Sequence, residues 1–528
     1  MKNNAYSAHL SRLVSAGAAV ILLLLEGPET IYGITEVGNL VVQQTFTPND
    51  SPVIVTNHTT FADVTLQRGV IVQIDGQFTI TVASQLRAVG TKAQPIVFQP
   101  TPHNTNGWSG LLFEYSAGTN ELDHVFIENA HDSAVRLINT APIIRNSRFI
   151  SNRSAKGGAI FADIRNGLKL TIANCTFENN YSDQDGGAVA VTSNGLLDVS
   201  SCDFIGNRAN WQYATRHTGG GAIALTGNGR FSRSVFRENR AHAYTIYAAA
   251  GVYTVGGALS LTGGTNEIVG CDLWDNAVEM TAHVFTPDLS VAYGGAVYLR
   301  SGSLVVKNTR FAKNWLKAQN RAILSGSAVY CDSGEVNVLN CTFSYNQGSE
   351  AIRNANATLA IANSILYFNN GSGTQLDGTA SVSYSNCQNG YPGNGNIDFN
   401  PIFTSDYQII PGSPSVDAGD PRPEFEDTYF PPSLGTLRND QGFSGGPTAA
   451  IWLAENVPFR PELKLLQSTL FEWTDQVGAQ LLHAASPEGP WVQFDGSIHS
   501  EGARRYVFVN QNGPRRFFKL VNTQASSD

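Results

Sequence analysis

Short stretches in which apolar and polar residues alternate recur along most of the chain. Examples begin at Ala159, Ala188 and Ala296, each followed by a few alternating residues. A period of two is the periodicity of a β-strand, whose successive side chains point to opposite faces. No copy holds an apolar stripe of period 3.6 long enough for a helix. The pattern therefore predicts an all-β protein.

A short phrase organises these strands: a small residue, a phenylalanine two places later and an asparagine three places after that. Self-similarity at a period of 20 to 50 residues is typical of a solenoid, a propeller or an array. The nine copies are assigned to His124/Phe126/Asn129, Ser147/Phe149/Asn152, Cys175/Phe177/Asn180, Cys202/Phe204/Asn207, Ser234/Phe236/Asn239, Cys271/Leu273/Asn276, Thr309/Phe311/Asn314, Cys341/Phe343/Asn346 and Ser364/Leu366/Asn369.

A second phrase, Gly-Gly-Ala followed by Ile, Val or Leu, is interleaved with the first. Its copies begin at Gly157, Gly186, Gly220, Gly256 and Gly294, with the variant Gly-Ser-Ala-Val at Gly326. Both phrases survive although the repeat length varies, which favours a coil with loops over a propeller. We predict a right-handed parallel β-helix over residues 35–400, followed by a small C-terminal β-sandwich over residues 458–523.

The phrases then predict a role for each position. Phenylalanines fill the interior, and the small residues lie beside them. The asparagines lie at a turn, where Asn tolerates a positive φ and its amide can bond to the coils above and below. The paired glycines mark the next turn, where a Cβ would be costly.

Two resemblances are carried by these residues. The opening coils, residues 40–115, resemble the leading coils of bacterial surface β-helix proteins. The two phrases resemble the repeats of chlamydial polymorphic outer-membrane proteins, which are adhesins. Residues 401–450, with Tyr407 to Asp420 and Phe430 to Gly446, resemble the choice-of-anchor Q ending of secreted β-helix proteins. This resemblance implies a secreted or surface-attached member of the pectate-lyase-like superfamily. The Pro-rich run from Asp420 is interpreted as a rigid wrap that closes the open end of the coil.

Residues 1–26 indicate export. Lys2 and Arg12 flank the start of an apolar run of thirteen residues that ends at Leu25. That length suits a secretory signal and is short for a spanning helix. No small-x-small cleavage site follows, so an uncleaved anchor stays open. No other segment is long and apolar enough to cross a membrane. The predicted location is extracellular or at a bacterial cell surface.

The charge of the chain argues against one class of binding partner, and the positions of the cysteines bear on disulfide bonding. The net charge is −9 and only 15% of the residues are charged, with no basic stripe, which argues against nucleic acid as a partner. Cys175, Cys202, Cys271 and Cys341, four of the six cysteines, occupy the small-residue position and are interpreted as packing thiols. A bridge between Cys175 and Cys202 stays open. No zinc spacing and no cofactor is recognised, and a monomer is expected.

One column of residues includes candidate catalytic side chains. The residue before each asparagine includes Glu238 and Asp275 on adjacent coils, about 5 Å apart, with Lys313 one coil further on. Such a pair would suit a shared calcium ion or a retaining carboxylate pair. The alternative interpretation is an exposed charge ladder relieved by Lys313.

Long insertions between the asparagine and the paired glycines carry a set of aromatic and histidine residues. They leave every coil at the same corner and are predicted to stack into one lateral wall. The set comprises Trp211, Tyr213, His217, His242, Tyr244, Tyr247, Tyr253, His283, Tyr293 and Trp315. Aromatic rings along a groove can grip a sugar chain, or they can simply pack the loops together.

The predicted function is a non-catalytic adhesin or structural surface protein that binds polysaccharide or another surface. The alternative is a polysaccharide lyase or a glycoside hydrolase.

Overall fold

The computed structural model describes residues 18–21, 34–116, 118–165, 167–211, 217–245, 252–282, 290–319, 322–370 and 373–452, and the strands of a C-terminal module between 464 and 522. Within these residues the structure is all-β. The helical segments there are three short 3₁₀ turns, at Pro48–Asp50, Pro423–Phe425 and Ala449–Trp452. No helix in this described part is long and apolar enough to span a membrane.

The first 400 residues contain a coil whose strands pair in parallel with their equivalents one turn away. The strands lie on three faces. The first face, which follows the paired glycines, comprises Ile80–Val82, Leu111–Glu114, Val135–Ile138, Ile160–Asp163, Val189–Val191, Ile223–Thr226 and Leu376–Asp377. The second face comprises Thr45–Phe46, Val64–Leu66, Leu86–Val89, Glu121–Asp123, Ile143–Arg145, Lys169–Ala173, Leu196–Ser200, Asn228–Ser232 and Ser381–Ser383.

The third face carries the phenylalanine phrase. Its strands are Ile71–Ile74, Ile96–Pro100, Val125–Glu128, Arg148–Ile150, Thr176–Glu178, Asp203–Ile205, Val235–Arg237, Asp272–Trp274, Arg310–Ala312, Thr342–Ser344, Ile365–Tyr367 and Asn386–Cys387. Four long strands cover the first and second faces together, and two opening strands also serve two faces. These six are Leu259–Val269, Val297–Lys307, Val329–Leu339, Ile352–Ala362, Ile34–Val42 and Val53–Ala62.

Phenylalanine side chains fill the interior in a column, as predicted. Phe177 lies 4.8 Å from Phe149 and 4.7 Å from Phe204 between ring centroids, with interplanar angles of 4° and 2°. All three are fully buried. Parallel in-register coils bring identical side chains face to face at the strand spacing, so each copy of the phrase extends one continuous core.

The asparagine column forms a buried amide ladder, also as predicted. The Asn239 side-chain amide donates to Asn276 Oδ1 at 2.9 Å and to the carbonyl of Phe204 at 2.9 Å. The expected positive φ, however, is wrong for this column. The left-handed residue is the one before each asparagine, such as Glu238 at φ 57°. The asparagine uses its amide to satisfy buried backbone groups, and the residue before it turns the chain.

The earliest copy of the phrase was assigned one residue out of register. Ile127, not Phe126, pairs with Phe149 and is fully buried. Asn129 has a φ of 53° and is therefore the turn residue. Ala130 takes the place of the ladder asparagine, and its N–H donates to Asn152 Oδ1. This coil has no asparagine at the ladder position, so the spacing of three misled the assignment.

The paired glycines occupy the predicted turn. Gly220 has a φ of 67°, in the left-handed region that favours glycine. A Cβ on the next residue, Gly221, would lie 2.1 Å from the carbonyl oxygen of Gly257. The first glycine is thus required by backbone conformation and the second by the close approach of the neighbouring coil.

The long insertions build a lateral blade, which confirms the predicted wall. Its outgoing strands are Arg153–Ser154, Tyr181–Ser182, Arg208–Trp211, Arg240–Thr245, Ala277–Ala282 and Trp315–Gln319. Its returning strands are His217–Gly219, Tyr253–Val255, Val291–Tyr293 and Ile323–Ser325. The two parallel sheets enclose a small apolar core that includes Ala241, Val278, Ala292 and Leu316.

Residues 401–452, here called the strap, return along the flank of the coil. The side chains of Asn308 and Asn340 donate to the carbonyls of Phe443 and Asp440 at 3.0 and 2.9 Å. The N–H of Gly442 donates to the carbonyl of Asn363. The interpretation that this segment closes the open end is therefore corrected, because the strap crosses successive coils along their side. Tyr391 packs against the last core residues at the end itself.

The cysteines are packing thiols, as predicted. All six are buried and free, so Cys175 and Cys202 are not bridged. The backbone N–H of Cys175 donates instead to the sulfur of Cys202 at 3.4 Å. Burial raises the pKa of Cys271 and Cys341 to about 12, which keeps these thiols protonated and unreactive.

The chain ends contribute further strands. Ala18–Ile21, inside the predicted export segment, pairs antiparallel with Ile34–Val42; the other residues before Ile34 lie outside the described residues. The C-terminal strands form two antiparallel sheets. One comprises Lys464–Gln467, Leu470–Thr474, His499–Glu501 and Arg504–Phe508, and the other Ala479–Ala484, Val492–Gln493 and Phe517–Asn522.

Candidate functional site

On the outer surface of the third face, side chains of the blade and of the strap approach Asp275 and Trp274, and we call this surface the groove. Its floor is formed by the turn column before the asparagines and by the outward side chain of Trp274. The blade side presents Trp315 and Arg240, which share a register row on the outgoing sheet. The strap side presents Tyr407, whose ring centroid lies 5.4 Å from that of Trp274. The groove therefore brings together three segments that are distant in sequence.

The three predicted catalytic residues all lie on this floor. Glu238, Asp275 and Lys313 occupy equivalent positions on consecutive coils, with φ of 57°, 51° and 55°. Backbone bonds fix the order, since the N–H of Glu238 donates to the carbonyl of Trp274 and that of Asp275 to the carbonyl of Ala312. Glu238 and Asp275 therefore lie at equivalent positions of adjacent coils, as the repeat register predicts.

Asp275 already has partners from the blade. Its Oδ1 accepts a hydrogen bond from Trp315 Nε1 at 2.8 Å and pairs with Arg240 at 3.2 Å. Arg240 also stacks on the Trp315 ring, 5.0 Å from the centroid, and reaches Glu279 at 3.7 Å. The carboxylate thus holds an arginine and an indole against one edge of the groove. A predicted catalytic residue and a predicted ligand-binding residue meet here.

Lys313 makes a different contact. Its ammonium lies 4.7 Å from the centroid of the Trp274 ring, and the side chain is exposed. A cation over an indole face is attracted by the ring quadrupole. Lys313 therefore lies on the groove floor beside an aromatic surface, and Glu238, also exposed, lies two coils away.

Other predicted aromatic residues are spread over both sides of the blade. Tyr244 is half-buried on the outgoing sheet, and Tyr253 on the returning sheet is 45% exposed. Tyr293 stacks on Tyr330 at 4.1 Å on the side away from the groove. Of the predicted rings, the structure thus brings Trp315 to the groove, and it places Tyr253 and Tyr293 on the returning sheet.

Part of the predicted ligand-binding set lies outside what the structure describes. Tyr213, Tyr247 and His283 are not among the described residues. Trp211 and His217 are described as strand residues, without their side chains. The proposal that these five contribute rings to the wall stays a prediction.

His242 links blade strands rather than facing a ligand alone. Its Nδ1 lies 2.8 Å from Asn210 Oδ1, and its Nε2 lies 3.4 Å from the hydroxyl of Thr281. Burial lowers the pKa of His242, with Glu279 opposing that effect. The imidazole is therefore neutral near pH 7 and serves as a polar bridge.

The strap side was missed by sequence reasoning. Arg310 binds Asp272 through two bonds, at 2.9 and 2.6 Å, and donates to the carbonyl of Asp406. Its guanidinium also lies 5.2 Å from the Trp274 ring and 5.6 Å from that of Phe443. This clamp fixes Trp274 and the strap together. The only sequence signal was an arginine in an outward position of the repeat.

No group of three or more His, Cys, Asp or Glu side chains that could hold a metal ion occurs in the part of the chain that the structure describes. The turn column on the groove floor contributes the carboxylates of Glu238 and Asp275, and Asp275 is already bound to an arginine and an indole N–H.

Comparison with known protein families supports the assignment of the coil as a β-helix. Residues 109–311 match the family model described as the right handed beta helix region. The coiled part is a right-handed parallel β-helix. No curated protein and no solved structure shows a significant similarity to the chain. The match covers the coils from the first-face strand at Leu111 to the third-face strand at Arg310, and therefore includes most of the blade.

Proposed function

We propose that the protein is a non-catalytic, polysaccharide-binding β-helix that acts as an adhesin or structural component at a bacterial surface. The observation that carries the proposal is the contact set of Asp275. A general acid or base needs an oxygen within hydrogen-bond reach of the proton that it transfers. Asp275 instead accepts from Trp315 and pairs with Arg240, an arrangement that orients a ring for binding.

The groove also has the composition that sugar binding needs. Aromatic side chains can pack against the apolar C–H faces of pyranoses, while charged and polar side chains beside them bond to hydroxyl groups. The export predicted from residues 1–26 and the resemblance of residues 401–450 to a choice-of-anchor Q ending support a surface location.

A glycan array with the purified protein tests the proposal. We expect binding to at least one polysaccharide class and a weaker signal for Trp315→Ala, by about 1 to 2 kcal/mol for a buried ring contact. Trp315→Phe, which keeps a ring and removes the Nε1 donor, should recover part of the affinity. Tyr115→Ala is the matched control, because Tyr115 is 67% exposed and directly follows the first-face strand Leu111–Glu114.

The second candidate is a polysaccharide lyase or a glycoside hydrolase. It is favoured by the equivalent positions of Glu238 and Asp275 on adjacent coils, with Lys313 one coil beyond Asp275. Glu238→Gln and Asp275→Asn separate the candidates, since they should abolish the release of unsaturated or reducing ends only if the protein is an enzyme. An array on which no glycan binds, with no cleavage in solution, would refute both candidates.

A further inference from the structure

The strap contains two carboxylates that are wholly enclosed by protein. Asp427 and Asp440 both have 0% of their surface exposed. Asp427 Oδ2 accepts the backbone N–H of Asp440 at 3.0 Å, so the two residues are neighbours. We call them the acid pair. Two adjacent carboxylates without water destabilise each other when both are ionised, because neither charge is solvated and the charges repel.

Backbone N–H groups from separate parts of the strap bond to the acid pair. Asp427 Oδ1 accepts from Gly446. Asp440 accepts from Asp417 at 2.8 Å through Oδ1 and from Leu434 at 2.6 Å through Oδ2. Each carboxyl oxygen has a second lone pair, so a proton can bind while these bonds persist. The acid pair is therefore the point at which the strap is joined to itself.

The surroundings of the acid pair do not balance its charge. Among the side chains that the structure describes, no lysine, arginine or histidine pairs with either carboxylate, and the charged group that acts on both is a third carboxylate, Asp417. Arg422 pairs with Asp420 at 2.7 Å, and Arg438 donates to a backbone carbonyl at 3.2 Å.

The other groups near the acid pair add no positive charge. Glu424 and Tyr429 are exposed, and Glu426 is half-buried. The coil turns that bond to the strap present neutral amides, those of Asn308, Asn340 and Asn363. A proton is therefore the charge that can neutralise the acid pair while the strap is docked.

The protonation of the acid pair differs between the docked and the open strap. Burial raises the pKa of Asp427 to about 7 and that of Asp440 to about 8, where the neighbouring Asp427 charge adds to the rise and backbone N–H bonds oppose it. In an open strap, water returns both groups to their ordinary pKa of 3.8. A raised pKa in the docked state gives stability that is complete below about pH 4 and is lost as the pH rises through about 7 to 8. Opening therefore releases protons.

We propose that the acid pair is a proton-operated latch, which holds the strap on the coil in acidic surroundings and loosens it as the surroundings become neutral to alkaline. The latch bears on the groove, because the strap supplies Tyr407, whose ring centroid lies 5.4 Å from that of Trp274. The strap side of the groove is thus complete at low pH and is lost when the strap opens.

Hydrogen exchange of the full chain at about pH 5.5 and about pH 8 tests the proposal. After correction for the intrinsic rates, we expect the protection of residues 426–446 to fall at least about tenfold at the higher pH. Coil residues such as 176–205 should keep their protection, since no such buried pair lies among them. Equal protection of the strap at both pH values, or an increase with pH, would overturn the proposal.

The double variant Asp427→Asn/Asp440→Asn replaces both carboxyl groups with neutral amides of the same shape. Its strap should no longer respond to pH, whereas Asp163→Asn, a control in the coil, should leave the response intact. A response that persists in the double variant would contradict the latch. Should the double variant fail to dock its strap at either pH, infrared spectroscopy of the native protein decides. A C=O stretch of protonated carboxyl at about pH 6, lost in Asp440→Asn, would support the latch, and its absence would overturn it.

Discussion

Two neighbouring columns of the same turn behave in opposite ways. The asparagine column repeats one residue type, is buried and bonds to backbone and amide groups of adjacent coils, as Asn239 does. The column one residue earlier varies from serine through carboxylates to Phe368, and its φ is positive at every position from Ser151 to Phe368. One column determines the coil, and the other determines the surface that the coil presents.

This difference has a physical cause. A buried amide that meets three backbone or amide partners has no substitute of equal shape and bonding capacity. A left-handed position that points outward suits glycine and asparagine best, but its cost for other residues is about 1 to 2 kcal/mol, so many side chains can occupy it. Surface chemistry can therefore change at the second column while the fold stays the same.

The largest effect should come from the interior. Phe204→Ala removes a ring stacked between Phe177 and Phe236, at 4.7 and 4.9 Å. We expect a loss of about 3 to 5 kcal/mol in the free energy of unfolding, measured by chemical denaturation, because the ordered stack cannot close over the cavity. A loss below about 1 kcal/mol would mean that the column does not carry the core.

The second largest loss of stability should come from removing the contacts of Arg310 with Asp272 and the strap. Arg310→Met keeps the length of the side chain and leaves Asp272, which is 7% exposed, without its cation. Breaking a pair of this kind costs about 3 kcal/mol. Hydrogen exchange should then increase in residues 401–452 and stay unchanged in the opening coils. Uniform protection would show that Arg310 does not hold the strap.

The two columns can be compared directly by substituting adjacent residues. Asn239→Ala leaves several buried groups of the neighbouring coils unpaired, including the amide of Asn207. We expect a cost of about 2 to 3 kcal/mol. Equal destabilisation by Glu238→Ala would contradict the distinction between the columns.

The smallest effect should have the opposite sign. Glu238→Gly places glycine at a φ of 57°, where a side chain strains the backbone. We expect a gain of about 0.5 kcal/mol, since strain relief exceeds the entropy that glycine adds to the unfolded chain. A measured loss of more than about 1 kcal/mol would show that the carboxylate of Glu238 stabilises the coil.

The sequence alone predicted most of the fold, because repeated positions report repeated environments. Phe177, Asn180 and Gly186 each recur in register, so the interior, the amide ladder and the glycine turn could be read directly. The assignment of the earliest copy of the phrase was one residue out of register, because Ala130 replaces the ladder asparagine. The assignment of positive φ to the asparagines failed because two adjacent residues share the turn.

Only some of the residues that form the groove could be predicted from the sequence. The positions of Glu238 and Asp275 follow from the repeat register. The contact between Asp275 and Trp315 depends on the orientation of the blade relative to the coil, which the register does not give. The strap contribution of Tyr407 was not predictable, because residues that follow the last coil carry no register that links them to earlier coils. Tertiary packing therefore supplied the chemistry that periodicity could not.

The most direct test of the central claim is the chain length of a polysaccharide recovered after prolonged incubation with the protein. We predict that bound polysaccharide elutes at its original length, and that Asp275→Asn, which can retain the contact with Trp315, binds nearly as well as the native protein. Shortened chains from the native protein, absent with Asp275→Asn, would contradict a binding role and establish an enzyme.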